Sequence, residues 1–405
     1  MKIAILERFD DVSRRCEKHE ITGREDEVAV WDLGREWKGW RALIKRWPAL
    51  VTKLLLHEPL SVNDRLRLLS VCFRTGGAQG GALAAAPELL GRVRRGQIER
   101  IACYSVKDFA LANLLAKEIG IPCLELLSHQ TKYFGEFGFE LLAVVPYAYW
   151  LYRQGRLERT VGGIDTRCLY YFSEKHEERA VQRHYVPITE YPIGERGWFQ
   201  YDLSAFPSSF DMRRWIPPPY REAFRDERFR WDKEICIVSN KVSDEYFPGE
   251  AQGRPTNFIG IQVLLRLIGV LRERYQVIYS RPRPSDISID HQKIHELGDI
   301  EAVKDAFPDT MTIQELHARY SSLTFNQLQM RLYSSCRRFV SVLGGSAYLA
   351  SYFGGTNIVL ARRGWEVDCG AYDRWFDRFS DARVVAVSSD RELLHAAERE
   401  FLGRC

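Results

Sequence analysis

Short apolar runs rich in valine and isoleucine recur along the chain, separated by longer stretches in which apolar residues return every three or four positions. Apolar runs without a two-residue alternation are typical of parallel strands covered on both faces, and the longer spacing is typical of helices packed against them. The pattern therefore predicts an α/β chain. The predicted strands are 2–6, 28–33, 98–104, 121–127, 168–172, 234–238, 276–279, 339–343, 358–361 and 383–387.

This strand-and-helix pattern occurs twice, before and after a stretch of different character. Residues 200–233 contain Pro207, three successive prolines at 217–219 and many charges, which is typical of a connection between domains. A chain of 405 residues also exceeds one ordinary core. We expect two Rossmann-like doubly wound domains that face each other across a cleft. The predicted limits are an N-terminal domain at 1–215, a linker at 216–233, a C-terminal domain at 234–390 and a C-terminal helix at 391–405.

Two helices are predicted together with the residues that start them. Thr324 with Gln327 three residues later has the pattern of a capping box, which predicts a helix over 325–336. Ser173, placed after the apolar run 168–172, predicts the cap of a polar helix over 174–184.

A further apolar stretch, 141–152, contains Pro146 and four aromatic residues. It is too short to cross a membrane, so we interpret it as a buried helix. Contact of its aromatic side chains with a lipid surface or a partner is the alternative interpretation.

The stretch 338–361 combines a strand, a glycine turn, a short helix and a second strand. Gly344 and Gly345 let the backbone turn sharply and approach a ligand closely. Ser346 is expected to cap the helix, whose first amide groups and positive dipole end suit an anion such as a diphosphate. The alternative is an ordinary crossover without a ligand, because a pair of glycines alone is a weak signal.

Basic residues follow two of the predicted strands in the second half of the chain. Lys241 comes after strand 234–238, and Arg281 and Arg283 come after strand 276–279. Because the carboxyl ends of parallel strands share one edge of a sheet, these cations are expected beside the glycine turn, where they would bind a diphosphate. The alternative for each residue is a solvated loop position.

Composition excludes several classes of protein. The 58 basic and 54 acidic residues nearly cancel, which excludes the strongly basic surface of a nucleic-acid-binding protein.

The nine cysteines contain no C-x-x-C pair, so they predict neither a zinc site nor a disulfide framework. Several lie in apolar runs, as buried free thiols do in a reducing compartment, and we expect a cytoplasmic protein. His291 and His295 share a helical spacing but lack a third ligand, so no metal site is predicted.

The order of elements in the second half resembles the GT-B superfamily of glycosyltransferases. The resemblance covers mainly residues 234–390 and rests on the helix 324–336, the strand after it, the Gly-Gly-Ser turn and the Ala-Tyr-Leu-Ala helix. Heptosyltransferase-like members have a similar arrangement. Residues 234–390, which carry the resemblance, contain neither the E-x7-E pattern of many retaining members nor the H-x-R-R-G-D motif of fucosyltransferases. The resemblance implies a nucleotide-sugar site in the C-terminal domain and no essential metal ion.

An inverting transferase needs a general base that takes the proton of the acceptor hydroxyl. The candidates are Asp10, His129 and Glu136. The resemblance favours Asp10, because several inverting relatives place a carboxylate after the first strand. His129 suits the role because its intrinsic pKa is near neutral. Glu366 is expected to hold ribose or sugar hydroxyls. A purely structural role is the alternative for each of them.

The sequence thus predicts a metal-independent, inverting glycosyltransferase of polysaccharide biosynthesis. It would move a sugar from a nucleotide-diphosphate donor to a glycan or lipid-linked saccharide acceptor, in the cytoplasm and with peripheral contact to the inner face of the membrane as a further expectation. Two alternatives stay open: a nucleotide-sugar epimerase of similar fold, and a non-catalytic module that binds a glycan or a protein. The donor nucleotide, the sugar, the acceptor and the oligomeric state are not predicted.

Overall fold

A computed structural model describes most of the chain after residue 128 and only short pieces before it. The chain divides into two compact units, one formed by Met1–Ser128 with Ser204–Phe210 and the other by His129–Leu203 with Asp211–Cys405. Before residue 129 the described residues are 3–7, 28–32, 94–95, 100–103, 116, 120 and 123–125. After it they are 129–179, 182–183, 212–245, 253–283, 294–368, 370–374 and 376–404.

The first unit contains a four-stranded parallel sheet. Its strands are β1 (Ile3–Glu7), β2 (Val28–Asp32), β3 (Arg100–Cys103) and β4 (Cys123–Glu125), in the order β2-β1-β3-β4. All four strands were predicted from their apolar runs, and the parallel pairing is confirmed. Asp10 follows β1 in the sequence but lies outside the described residues.

The second unit begins with a small sheet of three parallel strands. These are β5 (Gln130–Lys132), β6 (Arg159–Gly163) and β7 (His176–Arg179), in sequence order. A continuous helical segment connects β5 to β6. It starts with α1 (Phe137–Phe139), widens into a π-helical turn at Glu140–Val144 and continues as α2 (Val145–Arg153). Most of its apolar residues are buried, as the sequence predicts for 141–152, whereas Tyr152 is 46% exposed.

A six-stranded parallel sheet forms the centre of the second unit. Its strands run in the order β10-β9-β8-β11-β12-β13, so the chain first builds outward from β8 and then returns to the other side of β8 with β11. Such a reversal is the topological switch point at which open α/β sheets keep their ligands. The strands are β8 (Ile235–Ser239), β9 (Gln276–Ser280), β10 (Met311–Thr312), β11 (Arg338–Val342), β12 (Thr356–Leu360) and β13 (Arg383–Val387).

Short helices cover this sheet. They are α3 (Tyr220–Ala223), α4 (Ile261–Leu271), α5 (Asp299–Ala306), α6 (Ile313–Arg319), α7 (Phe325–Ser334), α8 (Gly345–Ser351), α9 (Trp365–Asp368), α10 (Ala371–Arg374) and α11 (Asp390–Ala397). A π-helical turn, Glu398–Leu402, continues α11. Every residue of β8 is buried, which confirms that the strand is covered on both faces. Burial also raises the pKa of the Cys236 thiol well above its usual range, as in an inert core cysteine.

One predicted strand and one predicted helix are wrong. Residues 168–172 form successive turns, in which the Leu169 amide donates to the Thr166 carbonyl at 2.9 Å and the Ser173 amide donates to the Tyr170 carbonyl at 2.8 Å. The strand lies later, at β7, inside the predicted helix 174–184. Four of the five residues are buried, and the Tyr170 ring stacks on His176 with ring centres 5.0 Å apart, whereas Tyr171 is 36% exposed. Burial within a set of turns therefore produced the strand-like pattern.

The proline-rich segment after residue 211 is packed into the second unit. Trp215, Tyr220 and Phe229 are almost fully buried. The Trp215 indole donates to the Leu142 carbonyl at 2.6 Å. The segment predicted as a linker therefore contributes aromatic core residues, and residues 129–203 belong to the same compact unit. The predicted domain limits themselves stay a prediction.

Helix α7 begins as predicted. Thr324 and Gln327 form both hydrogen bonds of a capping box. Asp165, in the turn between β6 and β7, adds a second cap: its carboxylate accepts from the Thr324 hydroxyl and, at 2.8 Å, from the Asn326 amide. Asp165 has a positive φ of 61°, a backbone conformation that aspartate tolerates better than most residues. The turn and the helix are therefore joined directly.

Among the helices that the structure describes, none combines the length and apolar character needed to cross a bilayer.

Candidate functional site

The glycine turn lies at the switch point of the six-stranded sheet. Gly344 has φ 117° and ψ −159°, a conformation closed to other residues, and it occupies the N-cap position of α8. Its carbonyl accepts from the Ala347 amide at 3.0 Å. Among the described residues, the amides of Gly345 and Ser346 have no hydrogen-bond partner, as is typical of the first turn of a helix. The turn therefore presents two backbone donors.

Ser346 does not cap α8 as predicted. Its hydroxyl donates to the Val342 carbonyl at 3.2 Å instead. The physical reason is that Gly344 already occupies the cap position, which places Ser346 inside the first helical turn.

A buried asparagine fixes the helix that follows the turn. The Asn357 amide nitrogen donates to the Ala347 carbonyl at 3.2 Å and to the Ser351 hydroxyl at 3.3 Å. Its side-chain oxygen accepts from the Ser341 hydroxyl at 2.8 Å. Because Asn357 and Ser341 belong to β12 and β11, α8 is held to both strands by a fully satisfied buried network.

The segment after β5 packs directly on the glycine turn. A Cβ atom on Gly345 would lie 2.7 Å from the Phe137 ring, and one on Gly138 would lie 3.3 Å from the Tyr348 ring and 3.9 Å from the Gly345 Cα atom. A side chain at Gly345 would force the Phe137 ring to move, and one at Gly138 would be in tight contact with the Tyr348 ring. The contact brings Glu136, at the N-cap of α1, to the start of α8.

Three carboxyl groups lie in succession near the start of α8. Glu366 accepts from the Tyr348 hydroxyl at 3.3 Å, and burial raises its pKa, with the charges of Glu136 and Asp368 adding to the shift. Burial raises the pKa of Glu245 to about 7, and the charge of Glu366 contributes in the same direction. Glu136, Glu366 and Glu245 are therefore electrostatically connected, and two of them hold protons more tightly than an ordinary glutamate.

Asn257 fixes the loops that carry two of these groups. Its amide nitrogen donates to a Glu245 carboxylate oxygen at 2.6 Å and to the Arg363 carbonyl at 2.7 Å. Its side-chain oxygen accepts from the Arg362 amide at 2.7 Å. Since Asn257 is 2% exposed, the loop after β12 is clamped to the segment before α4.

The three predicted cations are not brought together. Lys241 follows β8 at the switch point, where its charge lowers the pKa of Glu245. Arg281 is 1% exposed and donates to Asp299 at 3.2 Å, so its guanidinium is part of the interior. Its contact with a phosphate stays a prediction. Arg283 follows β9, one strand further along the sheet, and forms an ion pair with Glu301 at 3.6 Å.

Two of the three candidate bases, His129 and Glu136, are separated from each other. His129 directly precedes β5, and its ring lies 3.1 Å from an exposed Glu158 carboxylate oxygen. Glu136 follows the same strand and reaches the glycine turn. The structure therefore places the two residues at opposite ends of β5. Asp10 lies outside the described residues, so its role stays a prediction.

Sequence reasoning missed Tyr348, Glu245 and Asn257. Tyr348 could have been found, because it stands three residues after Gly345 and so shares a face of α8 with it. Glu245 and Asn257 lie in irregular segments after β8 and before α4, where no periodicity indicates which side chains converge.

Two cavities of the second unit lie away from this site. Their volumes are about 270 Å³ and 610 Å³, and their linings include Gly354, Glu234 and Arg337, which precede β12, β8 and β11. They therefore lie at the amino edge of the sheet, opposite the carboxyl edge that carries the glycine turn. Their linings contain none of the site residues described above.

Within the part of the chain that the structure describes, no three His, Cys, Asp or Glu side chains are grouped so that they could hold a metal ion. A metal-independent reaction stays a prediction.

The raised pKa of Glu245 predicts a pH-dependent stability. The folded state holds this proton up to about pH 7, whereas the unfolded state releases it near the ordinary value of 4.5. The folded state thus binds more protons between these values, so the free energy of unfolding falls as pH rises across that window. Denaturant unfolding at pH 5, 6 and 7 measures the slope. Glu245→Gln should flatten it, whereas the exposed Glu301→Gln should not. Parallel profiles for the wild type and Glu245→Gln would contradict the assignment.

No family model matches the chain, and no curated protein matches it in sequence. Several solved structures are similar. They include the E. coli ADP-heptose LPS heptosyltransferase II, with 11% identity, a TM-score of 0.29 and coverage of 80% of this chain and 96% of that one. The glycosyl transferase family 9 protein of Veillonella parvula has 10% identity and a TM-score of 0.29, with 99% and 97% covered. The UDP-GlcNAc 2-epimerase of Neisseria meningitidis has 12% identity and a TM-score of 0.26, with 98% and 91% covered.

The matched proteins are glycosyltransferases and an epimerase, the classes that the sequence resemblance predicted. The TM-scores are below 0.3, so the likeness carries no argument about this chain. The α/β class itself is established by the parallel sheets described above.

Proposed function

We propose that the chain is a glycosyltransferase that moves a sugar from a nucleotide-diphosphate donor to a glycan or lipid-linked saccharide acceptor. In this proposal the reaction inverts the anomeric carbon and needs no metal ion. It takes place in the cytoplasm, as part of polysaccharide biosynthesis.

One observation carries the proposal. At the switch point of the six-stranded sheet, the amides of Gly345 and Ser346, which have no hydrogen-bond partner among the described residues, lie at the start of a helix onto which Phe137 and Gly138, the two residues after Glu136, are packed. Backbone amides and a helix N-terminus favour the negative charge that grows on a diphosphate leaving group. A carboxylate close to the same turn supplies the other function that a sugar transfer needs, a base.

The proposed reaction is a single displacement. The acceptor hydroxyl attacks the anomeric carbon while its proton moves to a carboxylate oxygen of Glu136. The new C–O bond forms as the bond to the diphosphate breaks, and the nucleoside diphosphate leaves with the electron pair. Glu366 and the Tyr348 hydroxyl, joined at 3.3 Å, would hold sugar or ribose hydroxyls beside it.

Acidic residues near a phosphate would normally oppose its binding. Here burial raises the pKa of both Glu366 and Glu245, and that of Glu245 reaches about 7, so Glu245 is partly neutral near pH 7. The charge of Lys241 acts on Glu245 and is positive. The balance of charge around the glycine turn is therefore compatible with a diphosphate, and Lys241 is the cation that we assign to it.

Isothermal titration with UDP, GDP, ADP and CMP tests the proposal. We expect one nucleotide to bind, and Lys241→Met to weaken it about tenfold or more, because a charge-assisted hydrogen bond is lost. Arg283→Met, which removes a cation after the neighbouring strand, is the matched control and should leave the affinity within about twofold. A folded protein that binds none of the four would overturn the proposal. Equal losses in both variants would overturn the choice of cation.

A nucleotide-sugar epimerase is the second candidate. The observation that favours it is the pair of carboxyl groups with raised pKa, because removal and return of a proton at a sugar carbon needs two such groups. An NMR time course on the donor alone separates the two functions: an epimerase yields the isomeric nucleotide sugar, whereas a transferase using water yields free sugar and nucleotide. A protein that binds nucleotide without either product is a binding module.

A further inference from the structure

A buried ion pair between Glu140 and Arg183 contacts the segment that carries Glu136. Glu140 and Arg183 are 0% and 4% exposed, and a guanidinium nitrogen lies 2.7 Å from a carboxylate oxygen. The Tyr170 hydroxyl donates to the other carboxylate oxygen at 2.9 Å. Removing two charges from water opposes folding, so a pair of this kind is poor evidence of stabilisation and suggests a role in fixing geometry.

The geometry that Arg183 fixes is that of the Glu136 backbone. Its second terminal nitrogen donates to the Gly135 carbonyl at 2.8 Å, directly before Glu136. Its guanidinium also lies 5.6 Å from the centre of the Phe137 ring, directly after Glu136. One side chain therefore contacts the residues on both sides of the candidate base.

Glu140 completes this arrangement from the helix. Its amide donates to the Glu136 carbonyl at 3.0 Å, and its carboxylate holds Arg183. It is also the first residue of the π-helical turn, a form that occurs mainly as single turns and frequently at functional sites.

We propose that Arg183 and Glu140 are positioning residues, which hold Glu136 against the glycine turn in the geometry that proton transfer requires. This inference rests on the proposed function of Glu136. A displacement of about 1 Å in a reacting group can lower a rate about a hundredfold. The two guanidinium hydrogen bonds of Arg183, to Gly135 and to Glu140, would therefore affect the rate through the position of Glu136, although Arg183 touches no substrate.

Arg183→Lys is the most direct test, because lysine keeps the charge but lacks the fork that reaches both Gly135 and Glu140. We expect kcat for donor consumption to fall about ten- to a hundredfold, with KM for the donor and the affinity for free nucleotide within about twofold. Glu140→Gln, which keeps the side-chain shape, should lower kcat in the same direction if Arg183→Lys folds poorly. Tyr170→Phe removes a hydrogen bond to the same carboxylate but leaves the fork intact, so it should lower the unfolding temperature without the loss of kcat.

A double-mutant cycle separates positioning from a purely structural role. On the Glu136→Gln background, Arg183→Lys should have no further effect on kcat beyond about twofold, because residues that act through one another are not additive. An equal loss on both backgrounds would overturn the proposal, since Arg183 would then act independently of Glu136.

Hydrogen exchange decides the inference even if the protein proves not to be a transferase. Exchange of the Glu140 amide, measured on a peptide covering 136–144, should rise at least about tenfold in Arg183→Lys and stay unchanged in Tyr170→Phe. Unchanged exchange in Arg183→Lys would overturn the positioning role. Faster exchange in a protein that neither binds nucleotide nor consumes donor would confirm that Arg183 orders the segment and overturn only the proposed function.

Discussion

Glu136→Gln is expected to lower kcat for sugar transfer by about a hundredfold to ten-thousandfold, the usual loss when a general base is removed. Glutamine has nearly the same shape, so the packing of Phe137 on Gly345 should persist and nucleotide affinity should stay within about twofold. Release of nucleotide from the donor, with water or a saccharide as acceptor, measures the rate.

His129→Gln is the matched control for that experiment. His129 was an equally good candidate in the sequence, but it lies at the other end of β5 beside Glu158. Its replacement should leave kcat within about twofold, as expected for an exposed residue outside the site. A large loss in His129→Gln with a small loss in Glu136→Gln would reverse the assignment, and small losses in both would leave Asp10 as the candidate base.

Gly355→Ala is expected to destabilise the second unit by about 3 kcal/mol or more, adding the cost of positive φ to that of a backbone clash. Gly355 has φ 78°, and a Cβ atom there would lie 2.3 Å from the Arg337 carbonyl oxygen and 2.7 Å from the Arg337 Cα atom. Both are backbone atoms beside β11, so neither can move aside like a flexible side chain. Denaturant unfolding measures the loss.

Gly155→Ala isolates the contribution of the backbone angle. Gly155 has φ 64° but nothing within 4 Å of the new Cβ atom, so the change should cost only about 1 kcal/mol. The difference between the two variants measures the contact between Gly355 and Arg337. Equal losses would show that this contact contributes nothing.

The sheet and its caps could be predicted because their signals are local. The apolar run of β8 is continuous because both of its faces are covered, and the capping box of Thr324 and Gln327 lies within four residues. The wrong strand at 168–172 shows the limit of such signals. Four of its five residues are buried, and an apolar run that records burial does not distinguish a turn from a strand.

The candidate site could be predicted only in part, because it is built by contacts between distant segments. The glycine turn was visible from its own residues. The packing of Phe137 on Gly345 joins residues that are more than 200 positions apart in the sequence. In the sequence it is marked by a glycine at each contact point, Gly138 and Gly345. Arg281 follows β9 as expected, but its buried partner Asp299 lies on α5, where nothing near Arg281 in the sequence indicates it.

The cap that Asp165 provides joins the start of α7 to a turn that precedes the six-stranded sheet in the sequence. A fragment starting at Glu234 would contain every strand of the six-stranded sheet, yet α7 would begin without the carboxylate that receives Thr324 and Asn326. The six-stranded sheet and its helices therefore do not form a self-contained module. A chimera that exchanges them with another protein must carry the turn between β6 and β7 along with them, or redesign the start of α7.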